Sequence, residues 1–551
     1  MFPEEFVRLL PSVEKPSRYI DGEWNARRKD LDQARTRIAL LFPDLYEAAA
    51  ARPDFNIAYQ LINESPGLAA DRLFCPGPDM EERLKGAGLP LVGMESGTPL
   101  REFDLILALI PDITLAPNML ACLDCGGVPI CARDRRAQGP RLICLLTDAA
   151  SQQPLVEFSD AIGVGEVEPL VQAVIRAASE KDGIMEILAA DGSFFVGGLG
   201  GEAPGKLARR TSGGLARALD LDSAPFPCKP VVPFAHLEPD RASLEMRRGG
   251  AASALAASRG PVRERGVENL IEAGARLIFE TGYAELELTT GDLRPHSCFV
   301  EILEGLASEL NSMRVALRAE SLAFERLAED QADALFETGQ EWVSLYPVSG
   351  SQRLRALAGA VDESPRLVGA AQRAGRFGFV GLSLRFIIGL PGEDEEEIKQ
   401  SADLAVALKE CFRHAARKDS RGRLRVRAHL DCFAPAPGTP FEREEQLAPE
   451  ELSRRQELFV SNLPDRKMRV RREPPQRAFA RTCLNRAGES GAGILKAVWE
   501  SGVRACLRSA PEAWEGWERA IERAGLDGRQ IACRKIPEGE SLPWAGQFSA
   551  G

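Results

Sequence analysis

Side chains able to hold a metal or pass electrons are scattered along this 551-residue chain rather than gathered into a frame. Among its twelve cysteines the one local group is Cys122-x2-Cys125-x5-Cys131. Thiolates at short spacing can take a soft metal. Cys122 and Cys125, however, stand at i and i+3 on one predicted helix face with Met119, the pattern of reduced core thiols. From Cys228 onward neighbouring cysteines lie 21 or more residues apart, so a cluster there would need distant loops. His236, His296, His414 and His429 have no metal-ligand spacing and read as ordinary polar or core residues. Asp240-Arg241 sets an acid beside a base and reads as a structural ion pair. Two turns stand out by their glycines and prolines. In Phe386-Ile387-Ile388-Gly389-Leu390-Pro391-Gly392-Glu393, the glycines permit unusual dihedrals and Glu393 suits the positive end of a following helix. Any strand-to-helix turn has the same needs. A later strand leaves through the proline-rich run Phe433-Ala434-Pro435-Ala436-Pro437-Gly438-Thr439-Pro440-Phe441.

The elements that must position these residues fall into two alternating series. After an N-terminal segment, 1–29, residues 30–185 pass through apolar runs at Ile38–Phe42, Arg72–Cys75, Leu89–Val92, Phe103–Ile110 and Arg141–Thr147. Amphipathic stretches at Asp79–Gly86, Asn118–Gly126 and Pro169–Lys181 separate them, which predicts an open, doubly wound, Rossmann-like α/β domain. Ligands of such sheets lie beyond the strand carboxyl ends, here loops such as Pro43-Asp44-Leu45-Tyr46 and Thr147-Asp148. Residues 186–228 are rich in glycine and read as a connector. From 229 to 441 strands are expected at Pro230–His236, Leu286–Thr289, Ser312–Leu317, Trp342–Tyr346, Phe379–Ile388 and Arg425–Phe433, with helices between them. That makes about six β/α units, a full or partial parallel barrel whose site lies at the strand carboxyl ends. Residues 442–551 turn mostly helical, at Pro449–Asn462, Gly493–Cys506 and Pro511–Ala524.

Composition narrows the class. Hydrophobic residues make up 44% and charged residues 27%, an ordinary globular balance. Met1 to Asp21 lacks the apolar stretch of a signal peptide, and the best later run, Phe379 to Leu390, is broken by Arg385. A cytoplasmic protein is expected. A net charge of -12 disfavours nucleic acid and anionic membrane as partners. The basic stretch Arg466-Lys467-Met468-Arg469-Val470-Arg471-Arg472 reads as the solvated face of a strand or edge.

The turn at Gly389 resembles the fifth strand of a radical SAM barrel, where a glycine turn lets backbone approach the adenosyl group, and the run from Phe433 resembles the exit of the sixth. More of the chain resembles the family that joins a cobalamin-binding-like domain to a radical SAM domain. The likeness covers Val13-Glu14-Lys15-Pro16-Ser17-Arg18-Tyr19-Ile20, Phe42-Pro43-Asp44-Leu45-Tyr46-Glu47, Pro99-Leu100-Arg101-Glu102-Phe103-Asp104, Lys229-Pro230-Val231-Val232-Pro233 and Pro261-Val262-Arg263-Glu264-Arg265. Pro78-Asp79-Met80-Glu81 and Gln352-Arg353-Leu354-Arg355 extend it. The resemblance implies a residual S-adenosylmethionine site at Gly389, Pro391, Gly392, Thr289 and Asp292, and a cobalamin-type loop at Asp44 and Tyr46.

Departures from the family cluster at the same places. The family holds a four-iron four-sulfur cluster on a Cys-x3-Cys-x2-Cys triad that lies before the Pro-Val-Arg-Glu-Arg segment. Here residues 245–260 contain no cysteine, and glycine, alanine and serine do not replace thiolates in a soft iron-sulfur site. Val348 stands where the family has a glutamate, and its isopropyl group cannot hydrogen-bond an ammonium or ribose. Ala48-Ala49-Ala50-Ala51 replaces a glycine-bearing loop, so Ala49 can obstruct a corrin ligand. Tyr46 takes the place of a lower-ligand histidine that the family itself commonly lacks. The turn Gly165-Glu166-Val167-Glu168 has lost a glycine and gained no cation. The expectation is therefore a cluster-less paralogue acting by binding, with no catalytic or metal-ligating residue assigned. Its expected partner is another protein or an active paralogue, and S-adenosylmethionine and cobalamin stay open as ligands. An active B12-type radical SAM enzyme with unusual cluster ligation, or an RNA- or ribosome-associated module using residues 466–472, are the alternatives.

Overall fold

The structure, a computed structural model, describes residues 2–50, 52–135, 139–147, 150–180, 183–197, 214–235, 237, 240–250, 254–255, 260–360, 363–418, 420–464, 468–504 and 514–545. They form two compact units. One comprises Met1–Asp240, Cys483–Gly528 and Ser541–Gly551, the other Arg241–Thr482 and Arg529–Glu540.

In the first unit the strands are β1 (Thr36–Phe42), β2 (Leu68–Phe74), β3 (Leu105–Ile110), β4 (Arg141–Leu146), β5 (Ala161–Val164) and β6 (Phe194–Val196). They form one sheet in the order β2-β1-β3-β4-β5-β6, parallel except for β6. This is the doubly wound order in which strand sequence reverses between β1 and β3, the switch point where such sheets open a ligand crevice. β3 reads as an unbroken apolar run because it is buried throughout. Ile38, Leu40 and Phe42 join Leu105, Leu107 and Leu109 in one core with the helices Pro53–Glu64 and Val167–Ser179. Cys122 and Cys125 are buried on the helix Ala116–Cys125, as their spacing predicts.

The C-terminal residues do not make a unit of their own. Helix Gly491–Glu500 packs on Ala116–Cys125. The Asn485 side chain accepts from the Ser151 amide at 3.0 Å, and Arg504 grips Glu81 through two contacts of 2.7 and 2.9 Å. Trp514 and Trp517 stack with ring centroids 5.9 Å apart, both fully buried.

The second unit holds β7 (Ala242–Arg248), β8 (Arg263–Glu264), β9 (Glu285–Thr290), β10 (Ala316–Arg318), β11 (Trp342–Val348), β12 (Gly381–Ile388), β13 (Arg425–Cys432) and β14 (Arg469–Arg472). They run as two sheets, β10-β9-β7-β8 and β11-β12-β13-β14, all parallel except the hairpin pair β7 and β8. A parallel bridge between Ala323 and Ser344 links the two series into a partial barrel. Leu244, Met246, Leu286, Leu288, Leu345, Leu384, Phe386, Ala428 and Leu430 are buried, and polar residues alternate with many of them along the strands.

Several expected elements moved. Pro230–His236 is not the first barrel strand: Val232 makes an isolated bridge to Trp24, prolines at 230 and 233 remove ladder donors, and His236 lies outside the described residues. The first strand is β7. Leu89–Val92 is likewise reduced to a bridge between Val92 and Pro99. β2 starts at Leu68 rather than Arg72; buried Asp71 and Arg72 interrupt its apolar run, which hides its first half from the sequence pattern. β5 was unread because only Ala161–Val164 marks it. The stretch 469–472 is the exposed edge strand expected of it, with 466–467 outside the described residues.

If the C-terminal helices are part of the first unit's core, Trp517→Ala lowers unfolding free energy by about 3–5 kcal/mol in a denaturant titration. A loss below about 0.5 kcal/mol, the surface range, contradicts that packing.

Candidate functional site

The strand carboxyl ends of the second unit meet at three structures: the loop after β7, the end of β11, and the glycine turn after β12. The loop after β7 has a rigid stem. Arg247 and Arg248 pair antiparallel with Glu264 and Arg263, and the Gly250 amide donates to the Gly260 carbonyl at 2.9 Å. Gly249 has φ +91°, and a Cβ there would sit 2.0 Å from the Pro261 carbonyl oxygen, so no side chain fits. Within the loop, residues 251–253 and 256–259 lie outside the described ones.

Arg247 organises this stem. Its guanidinium donates to both oxygens of buried Asp292, at 3.1 and 3.0 Å, and to Glu264 at 2.8 Å. Glu264 also accepts from the Ser297 hydroxyl at 2.6 Å. Burial opposes the Glu264 charge, but the Ser297 and Arg247 hydrogen bonds outweigh it and hold the carboxyl below its ordinary value. His296 Nδ1 accepts from the Cys298 amide at 3.0 Å, which leaves Nε2 to donate to the Arg265 carbonyl at 2.9 Å. Both ring nitrogens have backbone partners, the mark of a core histidine. Thr289 donates to the Leu244 carbonyl at 3.4 Å. Arg241 pairs with Glu287 at 3.2 Å and Glu320 at 3.5 Å, so the sequence neighbour Asp240 is not its partner.

At the end of β11 lies an apolar cluster. Val348, Leu354, Ala358, Leu390, Phe433 and Phe441 pack together, with Ala254, Leu255 and Ile387 against them. Ala254 belongs to the loop after β7, and its amide donates to the Ala358 carbonyl at 3.0 Å. Val348 has φ +65°, and the Ser349 amide donates to the Pro347 carbonyl at 2.7 Å. That is a three-residue γ-turn centred on a β-branched residue, a strained arrangement held by packing.

The turn after β12 is internally committed. Gly389 and Gly392 have φ +87° and +69°, with Pro391 between them. The Gly389 amide donates to Glu393 Oε2 at 2.7 Å, Arg353 donates to the Gly392 carbonyl at 2.7 Å, and a Cβ on Gly389 would lie 2.5 Å from Leu452. Leu452 lies on the chain's own helix Pro449–Ser461. Burial pushes Glu393 up to about 7, against the pull of the Gly389 amide and Arg455, and its Oε1 is buried without a hydrogen-bond partner.

In the first unit, Asp44 is fully buried; its side chain accepts from the Leu45 amide at 2.7 Å and its carbonyl from Cys75 at 3.0 Å. The Tyr46 hydroxyl donates to Glu23, which pairs with Arg72 at 2.6 Å, and Arg72 also binds Glu95. Burial raises Glu23 although Arg72 opposes the shift. This network, which sequence reading missed, binds the expected loop into the core; an Arg in the middle of an apolar strand was its one signal. Tyr46 also lines a largely apolar pocket with Phe6, Tyr19, Phe74 and Met80. Ala49 is fully buried. At the end of β5, Gly165 has φ +135°, and a Cβ there would lie 2.4 Å from the Ala216 backbone. Ala216 donates to the Val164 carbonyl and accepts from the Glu166 amide, both at 2.9 Å. The connector thus covers this turn.

Among the described residues no group of three or more His, Cys, Asp or Glu side chains could hold a metal ion, and no helix is long and apolar enough to cross a membrane.

Two family models match: radical SAM proteins, N-terminal, over residues 54–186, and the radical SAM superfamily over residues 247–405. No curated protein matches. Among solved structures, the radical S-adenosylmethionine methyltransferase TsrM from Kitasatospora setae, with cobalamin and [4Fe-4S] cluster bound, is 11% identical with a TM-score of 0.53, over 89% of this chain and 99% of that one. The cobalamin-dependent S-adenosylmethionine radical enzyme OxsB, with aqua-cobalamin and S-adenosylmethionine bound, is 10% identical with a TM-score of 0.48, over 89% and 71%. At such identity the likeness is one of fold.

Glu393 supplies a pH test. Its folded value of about 7 lies above the ordinary 4.5, so the folded state binds the extra proton between the two. Its contribution to stability therefore falls as pH rises through that window and is flat outside it. Glu393→Gln keeps an acceptor for Gly389, and its melting temperature relative to the parent should rise between pH 4.5 and 7. A difference constant across the window would mean that Glu393 is ionised throughout.

Proposed function

The chain belongs to the B12-binding and radical SAM proteins, and from that premise we propose that it is a cluster-free member, working as a binding or interaction protein on the inherited scaffold. The observation that carries this reading is the loop after β7. Residues 249–260 offer no thiolate donor, and the loop's glycine stem is closed against Pro261. A four-iron four-sulfur cluster needs thiolates and is not matched by this donor set. Without such a cluster no reducing electron reaches the sulfonium of S-adenosylmethionine, so no radical step is assigned to these residues.

The barrel mouth supports the same reading. Apolar side chains of Val348, Leu390 and Phe433 line the place where a charged amino acid moiety would need hydrogen-bond partners, and burying polar groups against them is unfavourable. The Gly389 amide and the Gly392 carbonyl are engaged within the chain. For cobalamin, the fully buried Ala49 and the covered Gly165 turn argue against close approach of a corrin at those points. A cytoplasmic protein partner, with an active paralogue as one choice, fits a scaffold that keeps its shape and lacks its donors. The alternative, an active B12-type enzyme with ligands drawn from elsewhere in the chain, is favoured by the fold likeness to TsrM along its whole length.

Anaerobic reconstitution with iron and sulfide, followed by counting of both and by an S-adenosylmethionine cleavage assay under reduction, separates the readings. The expected result is substoichiometric iron and no cleavage by folded protein. About four irons and four sulfides per chain, in the stoichiometry of one cluster, would overturn the proposal.

A further inference from the structure

The face of β12, β13 and β14 opposite their apolar side carries a row of cations that none of the preceding chemistry uses. Along β13 the buried residues Val426, Ala428, Leu430 and Cys432 alternate with Arg427, His429 and Asp431. Strand register fixes the neighbours: His429 lies between Arg385 of β12 and Arg471 of β14, and Arg427 lies between Ser383 and Arg469. Parallel strands stand about 4.8 Å apart, so the first row sets an imidazole between two guanidiniums within roughly 10 Å.

Like charges directly opposite one another across a ladder are destabilising, and countercharge here is scarce. Arg385 stands 3.6 Å from Asp431. Glu320 acts on Arg427 from farther away, and Glu473 lies near Asp431. Among the described residues Arg427, Arg469 and Arg471 make no ion pair. Arg427 instead lies over the Trp342 ring, 4.2 Å from its centroid, and its Nε is buried without a hydrogen-bond partner. His429 Nε2 is buried in the same condition. The acidic residues of the opposite sheet are already engaged, Glu287 by Arg241 and Glu245 by Arg248. The row is nevertheless open to a solute: the Arg385 and Asp431 side chains are 42% and 46% exposed.

We propose that Arg385, His429 and Arg471, with Arg427 behind them, form a binding site for the phosphate group of a small molecule on the concave strand face. A dianionic phosphate presents several acceptor oxygens to planar guanidinium forks, which bind it through paired hydrogen bonds. It would also supply the charge that the row lacks and a partner for the buried His429 nitrogen. Burial together with Arg385, Arg427 and Arg471 pushes the free imidazole down to about 4, so at neutral pH it enters the site uncharged. The site uses strand faces rather than the loop after β7, so it stands whether or not a cluster can be assembled.

The test uses the full chain with pyrophosphate and inorganic phosphate as probes, and succinate and sodium chloride at matched ionic strength as controls. Calorimetry should give saturable binding of a phosphate probe, tighter than of succinate. Arg385→Gln and Arg471→Gln should each weaken it about tenfold, the scale of one lost charge-assisted contact. The ligand-free melting temperature of Arg471→Gln should be unchanged or higher, because Arg471 makes no ion pair among the described residues and its loss removes a repulsion. Arg471 lies on an exposed edge strand, so its variant keeps the test valid if Arg385→Gln does not fold. Titration by NMR, with His429→Gln to assign the ring, should show the His429 value rising when the phosphate probe saturates. Absence of saturable binding at concentrations on the order of 10 mM, a preference for succinate, a response equal to that of chloride, or variants that melt lower with unaltered affinity would each overturn the proposal.

Discussion

Close packing of backbone at the strand carboxyl ends is the constraint on which the rest of this molecule depends. Parallel sheets direct their strand ends and the following loops toward one edge, and ligands of both fold types enter there. Glycines stand at three such ends, Gly165, Gly249 and Gly389, each with positive φ. In every case the space beside the missing Cβ is taken by the chain itself: Ala216 backbone, the Pro261 carbonyl and the Leu452 side chain. A glycine that admits a ligand and a glycine that admits a neighbouring segment satisfy the same steric rule. The second use holds these turns by contacts within the chain.

The stem of the loop after β7 illustrates how charge can organise a strand end. Here Arg247 ties β7 to Asp292 and Glu264, and Glu264 reaches on to Ser297. These contacts are charge-assisted and shielded, so they hold the stem more firmly than exposed pairs would. Apolar contact completes the closure, since Leu255 packs beside the strained Val348 turn. The strain at Val348 is sustained by the cluster around it, which couples the end of β11 to the loop.

Much of the fold was legible because apolar periodicity is a property of short windows. β3, β12 and β13 declare themselves by buried runs or alternation, and the turn after β12 by its paired glycines. The misplaced first barrel strand has a local cause: Pro230–Val232 is apolar enough to imitate a strand, whereas β7 carries Glu245, Arg247 and Arg248 and looks like surface. The site was less legible. Asp292, Thr289, Asp44 and Tyr46 could be nominated by resemblance, but their partners lie far off in sequence: Arg247 is 45 residues from Asp292, and Glu23 is 23 from Tyr46. No window joins such pairs; only the folded sheets do.

Strand alternation also explains why scaffold and chemistry can separate in this architecture. Residues such as Leu384, Phe386, Ala428 and Leu430 are buried on one face and supply most of the apolar stabilisation of those strands. Their neighbours Arg385, Arg427 and His429 occupy the opposite face, and the Arg385 side chain is half-exposed. A half-exposed cation such as Arg385 costs the core little, so its position can change charge without disturbing the packing beneath it. The same argument fails at the strand ends, where Gly249 and Gly389 are constrained by atoms a few ångströms away. A change of ligand is therefore easier to build on the strand faces than at the turns, and the cation row lies where the fold leaves that freedom.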